Sequence, residues 1–189
     1  FISSALGQTV SQTTASPTVE PLEFALFEEV PTVTTVSRVE EPLLKAPAAV
    51  SVIQGQDLED WGIVDLPDAF RFVPGMDVTA FNGREWGVTA RGFNERLARR
   101  MLVLIDGMSV YTPTLSGVNW SQMPIINEDI ERIEIVRGPN DTLYGFNAFN
   151  GVINILTKDP KDTHGHFSKY TYGSNNTNVF VTRYGDFAD

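Results

Sequence analysis

Arg91 and Arg137 are the side chains in this sequence whose placement most clearly indicates a specific interaction. Each ends a strand-like segment and each is followed by glycine. Arg137 shares one strand face with Ile133 and Ile135, because alternate side chains of a strand point to the same side. An unpaired buried guanidinium costs several kcal/mol. We therefore expect each arginine either to meet a carboxylate or to extend to water along its aliphatic stem.

The partner carboxylate has two possible sources. Asp106 and Glu131 could supply it from within the chain. A carboxylate on another domain could supply it instead. Both sources remain open from the residues alone.

The remaining reactive side chains predict neither catalysis nor metal binding. The sequence contains no Cys, which excludes disulfides, thiolate metal sites and a Cys nucleophile. Glu40 with Glu41, and Glu128 with Asp129, are interpreted as solvated charges or caps, because nothing nearby would perturb an acid–base pair. His164 and His166 form a lone H-x-H in a polar linker, which we interpret as solvated. No hydrolase elbow, phosphate loop or zinc-protease helix occurs, so we expect no enzyme, no metal and no cofactor.

Composition describes a folded domain with an acidic balance. The 189 residues are 42% hydrophobic and 20% charged, close to the globular average. The formal net charge of −10 disfavours nucleic-acid binding, which needs a basic surplus. No apolar run reaches the length of about 18 residues that a transmembrane helix needs.

The first part of the chain is predicted to be a leader followed by an extended linker. Residues 1–28 are acidic and low in complexity, which is typical of disorder. Residues 1–7 could be the end of a signal peptide, and an ordinary linker is the alternative. Residues 29–44 are rich in Thr and Val, interrupted by Pro31 and Pro42.

Compact patterning begins near Ala46. Residues 101–105 are a continuous apolar run typical of a strand buried on both faces, and Asp106 with Gly107 predicts a tight hairpin turn. Asp65 is a candidate cap for a helix that stops before Pro74, and Asn127 is predicted to cap a short turn. The predicted strands are residues 48–53, 76–80, 87–91, 101–105, 108–111, 131–137 and 151–157, the predicted helical segments are 58–61 and 66–73, and the predicted loops are 81–86 and 112–119.

Beyond Gly165 the pattern changes to two alternating strands, residues 167–172 and 178–184. A pair of strands is marginal without further partners. These residues are therefore interpreted either as the edge hairpin of a globular domain or as the first hairpin of a larger sheet.

Eight short motifs follow one another between residues 46 and 158. They are residues 46–53 (APAAVSVI), 66–70 (LPDAF), 73–75 (VPG), 90–93 (ARGF), 103–107 (VLIDG), 130–139 (IERIEIVRGP), 143–145 (LYG) and 150–158 (NGVINILTK). In this order they resemble the plug domain of TonB-dependent outer-membrane receptors, over about residues 30–158. The resemblance implies a plug inside a barrel of about 22 strands. It also implies that Arg91 and Arg137 pair with glutamates on the inner barrel wall.

The resemblance further implies a coupling segment that pairs as a strand with the periplasmic TonB protein. The best match is residues 29–36, because strand addition needs a free, β-prone run. Pro31 lacks one donor, and an ordinary extended linker is the alternative. The implied TonB-binding residues are Glu29, Val30, Pro31, Thr32, Val33, Thr34, Thr35 and Val36.

A bulky ligand such as a metal chelate is expected to contact two loops, residues 81–86 and 112–120. Packing of their aromatic residues against the barrel wall is the alternative, because aromatic rings serve both purposes. The candidate ligand-binding residues are Phe81, Asn82, Arg84, Trp86, Asn119 and Trp120.

The expected fold is α+β: a small mixed β-sheet plug with short helices and long loops, followed by the first hairpin of a transmembrane β-barrel. The expected domains are the leader (1–28), the coupling segment and linker (29–44), the plug (45–160) and the start of the barrel (161–189). The implied function is to gate energy-coupled import of a siderophore, cobalamin, haem or an oligosaccharide at the bacterial outer membrane, with the N-terminus in the periplasm. The alternative is a soluble periplasmic binding or interaction module with no barrel.

Overall fold

Eleven short strands and a few helical turns make up the described part of the chain. The computed structural model describes residues 32–35, 41, 42, 44 and 48–186, apart from residues 93, 97, 98, 113, 115, 116, 146 and 175. The predicted leader, residues 1–28, lies outside the described residues. In chain order the strands are β1 (Thr32–Val33), β2 (Glu41–Pro42), β3 (Ala49–Gln54), β4 (Met76–Asn82), β5 (Glu85–Ala90), β6 (Met101–Ile105), β7 (Met108–Ser109), β8 (Ile130–Arg137), β9 (Gly151–Thr157), β10 (Gly165–Gly173) and β11 (Thr177–Gly185).

The central sheet has five strands in the order β3-β8-β9-β6-β7. Strand β6 runs parallel to β9, with Met101 opposite Gly151, and the other pairs are antiparallel. The mixed sheet and the sparse short helices confirm the predicted fold class. The turn between β6 and β7 is also as predicted, with positive φ at both Asp106 (48°) and Gly107 (77°).

One face of this sheet carries the main apolar core. Helix α1 (Gly55–Asp60), the 3-10 helix Leu66–Phe72 and the β4–β5 hairpin cover it. Phe70 is completely buried here, and its ring lies 5.4 Å from that of Trp120. The buried residues of the five-stranded sheet in this core are Ile53, Met101, Val103, Ile130, Ile133, Ile135, Ile153 and Ile155.

The opposite face carries two smaller apolar clusters. In one, Val33 of β1 packs with Val136 of β8. The other contains Leu102, Leu104, Ala148 and Val152. Because both faces are covered, β6 and β9 are apolar along most of their length, and β8 is buried along most of its length although half of its residues are charged.

Residues 81–86 form a hairpin rather than the predicted loop. Strand β4 continues to Asn82 and β5 begins at Glu85, so only Gly83 and Arg84 form the turn. The Asn82 side chain closes this turn by donating to Glu85 Oε2 at 2.6 Å and accepting from the Arg84 backbone N–H at 2.9 Å. The local hydrogen bonds therefore extend the strands beyond their apolar residues.

The two predicted caps also differ from expectation. Asp65 precedes a 3-10 helix rather than an α-helix, and its side chain makes no capping bond; its backbone oxygen accepts from the Asp68 N–H at 2.9 Å. Asn127 lies inside its short turn and donates to Ile63 and Val64 carbonyls at 3.1 and 3.2 Å. Its amide ties two distant segments together instead of capping a helix.

Strands β10 and β11 form the predicted hairpin, and each is slightly longer than expected. Exposed and half-buried residues alternate along both strands, so the hairpin has one open face and one covered face. Its open face carries Tyr170 directly opposite Phe180. Within the part of the chain that the structure describes, no helix is long and apolar enough to cross a membrane.

Candidate functional site

The end of the expected coupling segment is packed against the plug sheet. Thr32 pairs with Pro42 and Val33 with Glu41, which gives a minimal two-stranded sheet. Val33 is completely buried and Thr35 is 1% exposed. Of the eight expected TonB-binding residues, the structure describes Thr32, Val33, Thr34 and Thr35; Glu29, Val30, Pro31 and Val36 lie outside the described residues. The described part is thus docked, not a free strand.

A buried carboxylate holds this docked end. Glu134 on β8 is fully buried, and its Oε2 accepts the backbone N–H groups of Thr34 at 2.9 Å and Thr35 at 2.8 Å. The Thr35 hydroxyl donates to the same oxygen at 2.5 Å. Consecutive backbone N–H groups that converge on one acceptor form an anion-binding concavity. We name the four residues 32–35 the docked segment.

Further polar contacts complete the seat of the docked segment. Tyr144 donates its hydroxyl to the Thr35 carbonyl at 2.8 Å, and Asn154 donates to Thr35 Oγ1 at 3.2 Å. Arg132 Nε lies 3.0 Å from Glu134 Oε1, which compensates the buried charge. The segment is therefore bound through its backbone as well as its side chains.

Arg91 and Arg137 line one cleft. The cleft has a volume of about 410 Å³ and is formed by Ala48, Ala49, Arg91, Arg137, Gly138, Pro139, Asn140 and Leu143. No acidic side chain occurs among these lining residues. Arg91 has a φ of 60°, a strained value for a residue other than glycine. Gly138 lies beside the Arg91 guanidinium, and its φ of 134°, rather than lack of space, is what favours glycine there, since an added Cβ would lie at an ordinary contact distance of 3.6 Å from Arg91 Nη2.

Neither in-chain candidate is the partner of these arginines. Asp106 accepts from the backbone and the hydroxyl of Thr157, at 2.9 and 2.8 Å. Glu131 pairs with Arg132, its neighbour on β8. Arg137 instead donates to the Pro74 carbonyl and to Ser51 Oγ, and its Nε is buried with no hydrogen-bond partner among the described residues. Within the described ranges, neither arginine forms an ion pair.

Four of the six expected ligand-binding residues lie in one small pocket. Arg84, Trp86, Asn119 and Trp120 line a cavity of about 210 Å³, together with Glu85, Arg96 and Val118. Phe81 and Asn82 are exposed at the end of the β4–β5 hairpin and are not among the lining residues. The structure therefore brings together four of the six expected ligand-binding residues and leaves two outside the pocket.

The two tryptophans of this pocket are mainly part of the core. Trp86 is 8% exposed and Trp120 is 5% exposed. Trp120 Nε1 is buried and has no hydrogen-bond partner among the described residues. An indole N–H usually finds a partner when it is buried, so the Trp120 N–H is a donor that a bound molecule could satisfy.

An ion pair lines the same pocket. Arg96 donates to the Glu85 carboxylate, and this hydrogen bond holds the pKa of Glu85 below its ordinary value. The side chain of Asn82 lowers the pKa of Glu85 further. Glu85 therefore stays ionised and neutralises Arg96. This leaves the positive charge of Arg84 as the net charge of the pocket.

Glu128 and Asp129 are not solvated charges, contrary to expectation. Glu128, with its side chain only 10% exposed, lies 2.9 Å from Lys169 Nζ on β10. Asp129 pairs with Arg183 on β11. The two adjacent carboxylates thus tether the covered face of the β10–β11 hairpin to the turn before β8.

Sequence reasoning did not identify Glu134, Lys169 or Arg183. A signal for Glu134 was present, because it lies on the face of β8 opposite to Ile133 and Ile135 and next to Val136. A carboxylate between apolar residues on a strand buried on both faces needs donors that the strand itself cannot supply. For Lys169 and Arg183 the alternating pattern indicated only the strand face on which each side chain lies, and not its acidic partner.

A family model and a curated relative both match this chain over more than half of its length. Residues 42–152, more than half of the chain, match the family described as TonB-dependent Receptor Plug Domain. The vitamin B12 transporter BtuB of Vibrio vulnificus (strain CMCP6) is 32% identical over 160 residues, which cover 82% of this chain and 25% of that protein. The chain thus spans about a quarter of the length of this curated relative.

Two solved structures show the same fold. FpvA of P. aeruginosa, bound to a heterologous pyoverdine, superposes with a TM-score of 0.58 at 23% identity, covering 78% of this chain and 19% of that chain. The siderophore receptor PirA of Acinetobacter baumannii superposes with a TM-score of 0.50 at 28% identity, covering 65% of this chain and 19% of that chain.

Proposed function

The chain belongs to the family of TonB-dependent receptor plug domains, and from this premise we propose that it gates energy-coupled import of a scarce nutrient across a bacterial outer membrane. The relatives that resemble it include a vitamin B12 transporter and a siderophore receptor. These names favour cobalamin or a ferric siderophore as the nutrient; haem and oligosaccharides are further candidates. The plug itself performs no chemistry.

The arginine cleft is the observation that carries this proposal. It contains two guanidinium groups, and none of its described lining residues is acidic. Two cations in one cleft repel each other unless carboxylates from another surface neutralise them. Glutamates on the inner wall of a surrounding barrel would supply that charge. Arg91 and Arg137 would then lock the plug to the wall.

Residues 29–36 would couple the plug to TonB on the periplasmic side. Strand addition uses the backbone donors and acceptors of an extended segment. Residues 32–35 are β-prone, and the first two of them, Thr32 and Val33, pair with residues 42 and 41. The predicted leader, residues 1–28, precedes this segment and would lie in the periplasm.

The ligand would contact the opposite side of the plug through the pocket of Arg84, Trp86, Asn119 and Trp120. This set offers one cation, one amide and an indole donor with no partner among the described residues. Phe81 and Asn82 would contribute from the exposed hairpin end. Such a surface suits a bulky chelate with apolar and anionic parts.

Residues 161–189 would begin the barrel that surrounds the plug of residues 45–160. The β10–β11 hairpin is held to the plug through Lys169 and Arg183. Its open face carries large aromatic side chains, with Tyr170 64% and Tyr172 77% exposed. A strand pair with one charged, plug-facing side and one aromatic side fits the inner and outer surfaces of a barrel wall.

Nutrient uptake by cells tests the proposal. A strain lacking the receptor gene should lose uptake of one radiolabelled nutrient among ferric siderophores, cobalamin, haem and oligosaccharides. Expression of the full-length receptor should restore uptake only in cells that contain TonB. Restoration that does not depend on TonB, or a protein recovered from the soluble periplasmic fraction, would favour the soluble binding module instead.

A further inference from the structure

A buried asparagine, Asn150, joins the two turns that carry the arginine cleft. It is 4% exposed, lies directly before β9 and is not among the residues that line the cleft. We propose that Asn150 is a positioning residue that holds Arg91 beside Arg137. This inference rests on the proposed lock between these two arginines and the barrel wall.

The backbone of Arg91 needs support from its surroundings. Its φ of 60° lies in the left-handed region, which disfavours most residues that have a Cβ. Such a conformation persists only where the surrounding contacts determine it. The Arg91 side chain is exposed and forms no ion pair within the described ranges. The conformation must therefore be held by the residues around the turn.

The side-chain amide of Asn150 supplies this support through the residues on either side of Arg91. It donates to Thr89 Oγ1 at 2.9 Å and to the Gly92 carbonyl at 3.2 Å. The Thr89 hydroxyl, on a residue only 2% exposed, donates to the same Gly92 carbonyl at 3.3 Å. One buried amide thus fixes both ends of the turn that contains Arg91.

The backbone of Asn150 fixes the other side of the cleft. Its carbonyl accepts the Gly138 N–H at 2.9 Å, and Gly138 directly follows Arg137. The Arg91 guanidinium lies beside Gly138, with its Nη2 3.6 Å from the position that a Cβ of that residue would occupy. Asn150 therefore sets the position of Arg91 relative to Arg137.

A fixed pair of guanidinium groups binds an incoming carboxylate with less loss of freedom. Arginine has a long stem with large rotamer entropy, and ordering such a side chain on contact reduces affinity. Two guanidinium groups in one cleft also repel each other. A rigid frame keeps them together before the wall carboxylates are in place. Asn150 thus pre-organises the lock without contacting the wall.

The conformation of residue 91 can be measured by NMR in the 189-residue chain. A positive φ brings the amide and Hα protons of one residue close together, which gives a strong nuclear Overhauser effect between them. Asn150→Ala should reduce the population of this conformation to about one half or less, because the strain at Arg91 loses its compensation. Asn127→Ala is the control, since Asn127 also donates its amide to two carbonyls, at 3.1 and 3.2 Å, but lies before the other end of β8. It should leave the signal of residue 91 unchanged.

Two substitutions at Thr89 apply the same test without removing the asparagine. Thr89→Val keeps the β-branched shape but lacks the hydroxyl, so it should weaken the signal of residue 91. Thr89→Ser keeps the hydroxyl and should preserve the signal, whereas a role in packing alone would favour the valine variant. An unchanged signal in Asn150→Ala would overturn the positioning role. If that variant does not fold, an unchanged signal in Thr89→Val overturns it instead.

Leakage of a large antibiotic through the full receptor relates this position to the lock. Arg91→Ala should raise antibiotic influx, and Asn150→Ala alone should raise it about threefold or more. In the Arg91→Ala background, Asn150→Ala should add less than about twofold, because both changes affect the same contact. If the two effects multiply in full, the positioning role is rejected and the lock stands. If Arg91→Ala has no effect, the proposed lock is wrong, while the NMR signal still decides whether Asn150 sets the conformation of residue 91.

Discussion

Arg137 satisfies only part of its hydrogen-bonding capacity within the chain. It donates to the Pro74 carbonyl and to Ser51, while its Nε remains without a partner among the described residues. A guanidinium presents a planar fork that matches a carboxylate with two parallel bonds. The contacts to Pro74 and Ser51 orient the side chain, and the neighbouring cleft leaves space for an acid from another surface.

Removal of this guanidinium should loosen the plug rather than unfold the receptor. In the full receptor, Arg137→Ala should increase antibiotic sensitivity and weaken TonB-coupled uptake, because loss of one partner of a buried pair costs about 3–5 kcal/mol. Arg137→Lys should restore function only in part, since an ammonium cannot form the bidentate fork. Outer-membrane fractionation should show normal barrel assembly. An alanine variant with unchanged permeability and uptake would contradict the lock.

The pKa of a single residue, Asp65, makes the stability of the chain depend on pH. Partial burial, and secondarily the charge of Asp68, raises the pKa of Asp65 above its ordinary value. The folded state then binds this proton more tightly than the unfolded chain does. Stability from this group is therefore fully present at low pH and is lost as pH rises through the ordinary value of about 3.9 and beyond.

Asp65→Asn should accordingly stabilise the chain at neutral pH. The gain should be only about a few tenths of a kcal/mol, because the burial of Asp65 is slight and solvent still screens most of its charge. It should vanish at about pH 3, where aspartate is protonated in both states. Urea unfolding at the two pH values measures this difference. Glu59→Gln, an exposed carboxylate on α1, is the control, and a destabilised Asp65→Asn at pH 7 would contradict the prediction.

At the scale of an element, β1 pairs with β2, and the proposed pairing with TonB would have to replace this one. Strand β1 is docked on the plug here, and we expect it to pair with TonB when released. Val33→Pro should abolish TonB-dependent transport while ligand binding stays intact, because proline removes a donor and strand geometry. Val33→Thr keeps the β-branched shape and should retain most transport. Equilibrium binding and uptake of the same nutrient give the two readouts, and normal uptake by the proline variant would reject the role of this strand.

The β10–β11 hairpin is held through charges that salt can weaken. Partly exposed ion pairs contribute about 0.2–1 kcal/mol each. Replacing Glu128 by Gln and Asp129 by Asn together should therefore speed amide exchange in β10 and β11 several-fold, with little change in β8. High salt should reduce the difference between the variant and the original chain. Glu131→Gln, which removes one exposed carboxylate that pairs with Arg132 and not with the hairpin, is the control, and equal exchange in all three chains would exclude a tether.

The buried strands of the sheet were predicted well from the sequence, whereas the ends of the more exposed strands were predicted poorly. Strand β9 has the predicted bounds, residues 151–157, because an apolar run between glycine and a turn has few alternatives. The β4–β5 hairpin was missed in part, since its ends are closed by the side chain of Asn82 rather than by apolar spacing. The contacts of Glu134 with Thr34 and Thr35 span about a hundred residues of sequence. Local patterns carry no information on such a pairing.

For the molecule as a whole, burial predicts a gradient of local stability. Strands β8 and β9 are buried on both faces, whereas residues 79–84 are exposed, and Thr112 and Gly117, at the two ends of the segment 112–117, form an isolated bridge. Amide exchange should therefore be slowest in β8 and β9 and fastest in the other two regions. Trp86, Val118 and Trp120 are buried and should be more protected than their hairpin and loop neighbours. Uniform protection along the chain would contradict this gradient.

The strand order also determines when the sheet can form during synthesis. Strand β3 pairs with β8, with Val50 opposite Val136, and β6 pairs with β9. During synthesis the N-terminal part of the chain emerges first. Strands β3 and β6 are therefore exposed before their partners, β8 and β9, have been made. Non-local pairings of this kind fold slowly, and unpaired edges recruit other chains. A stop codon between β8 and β9 would leave β6 without β9, so premature termination would produce an aggregation-prone chain rather than a smaller plug.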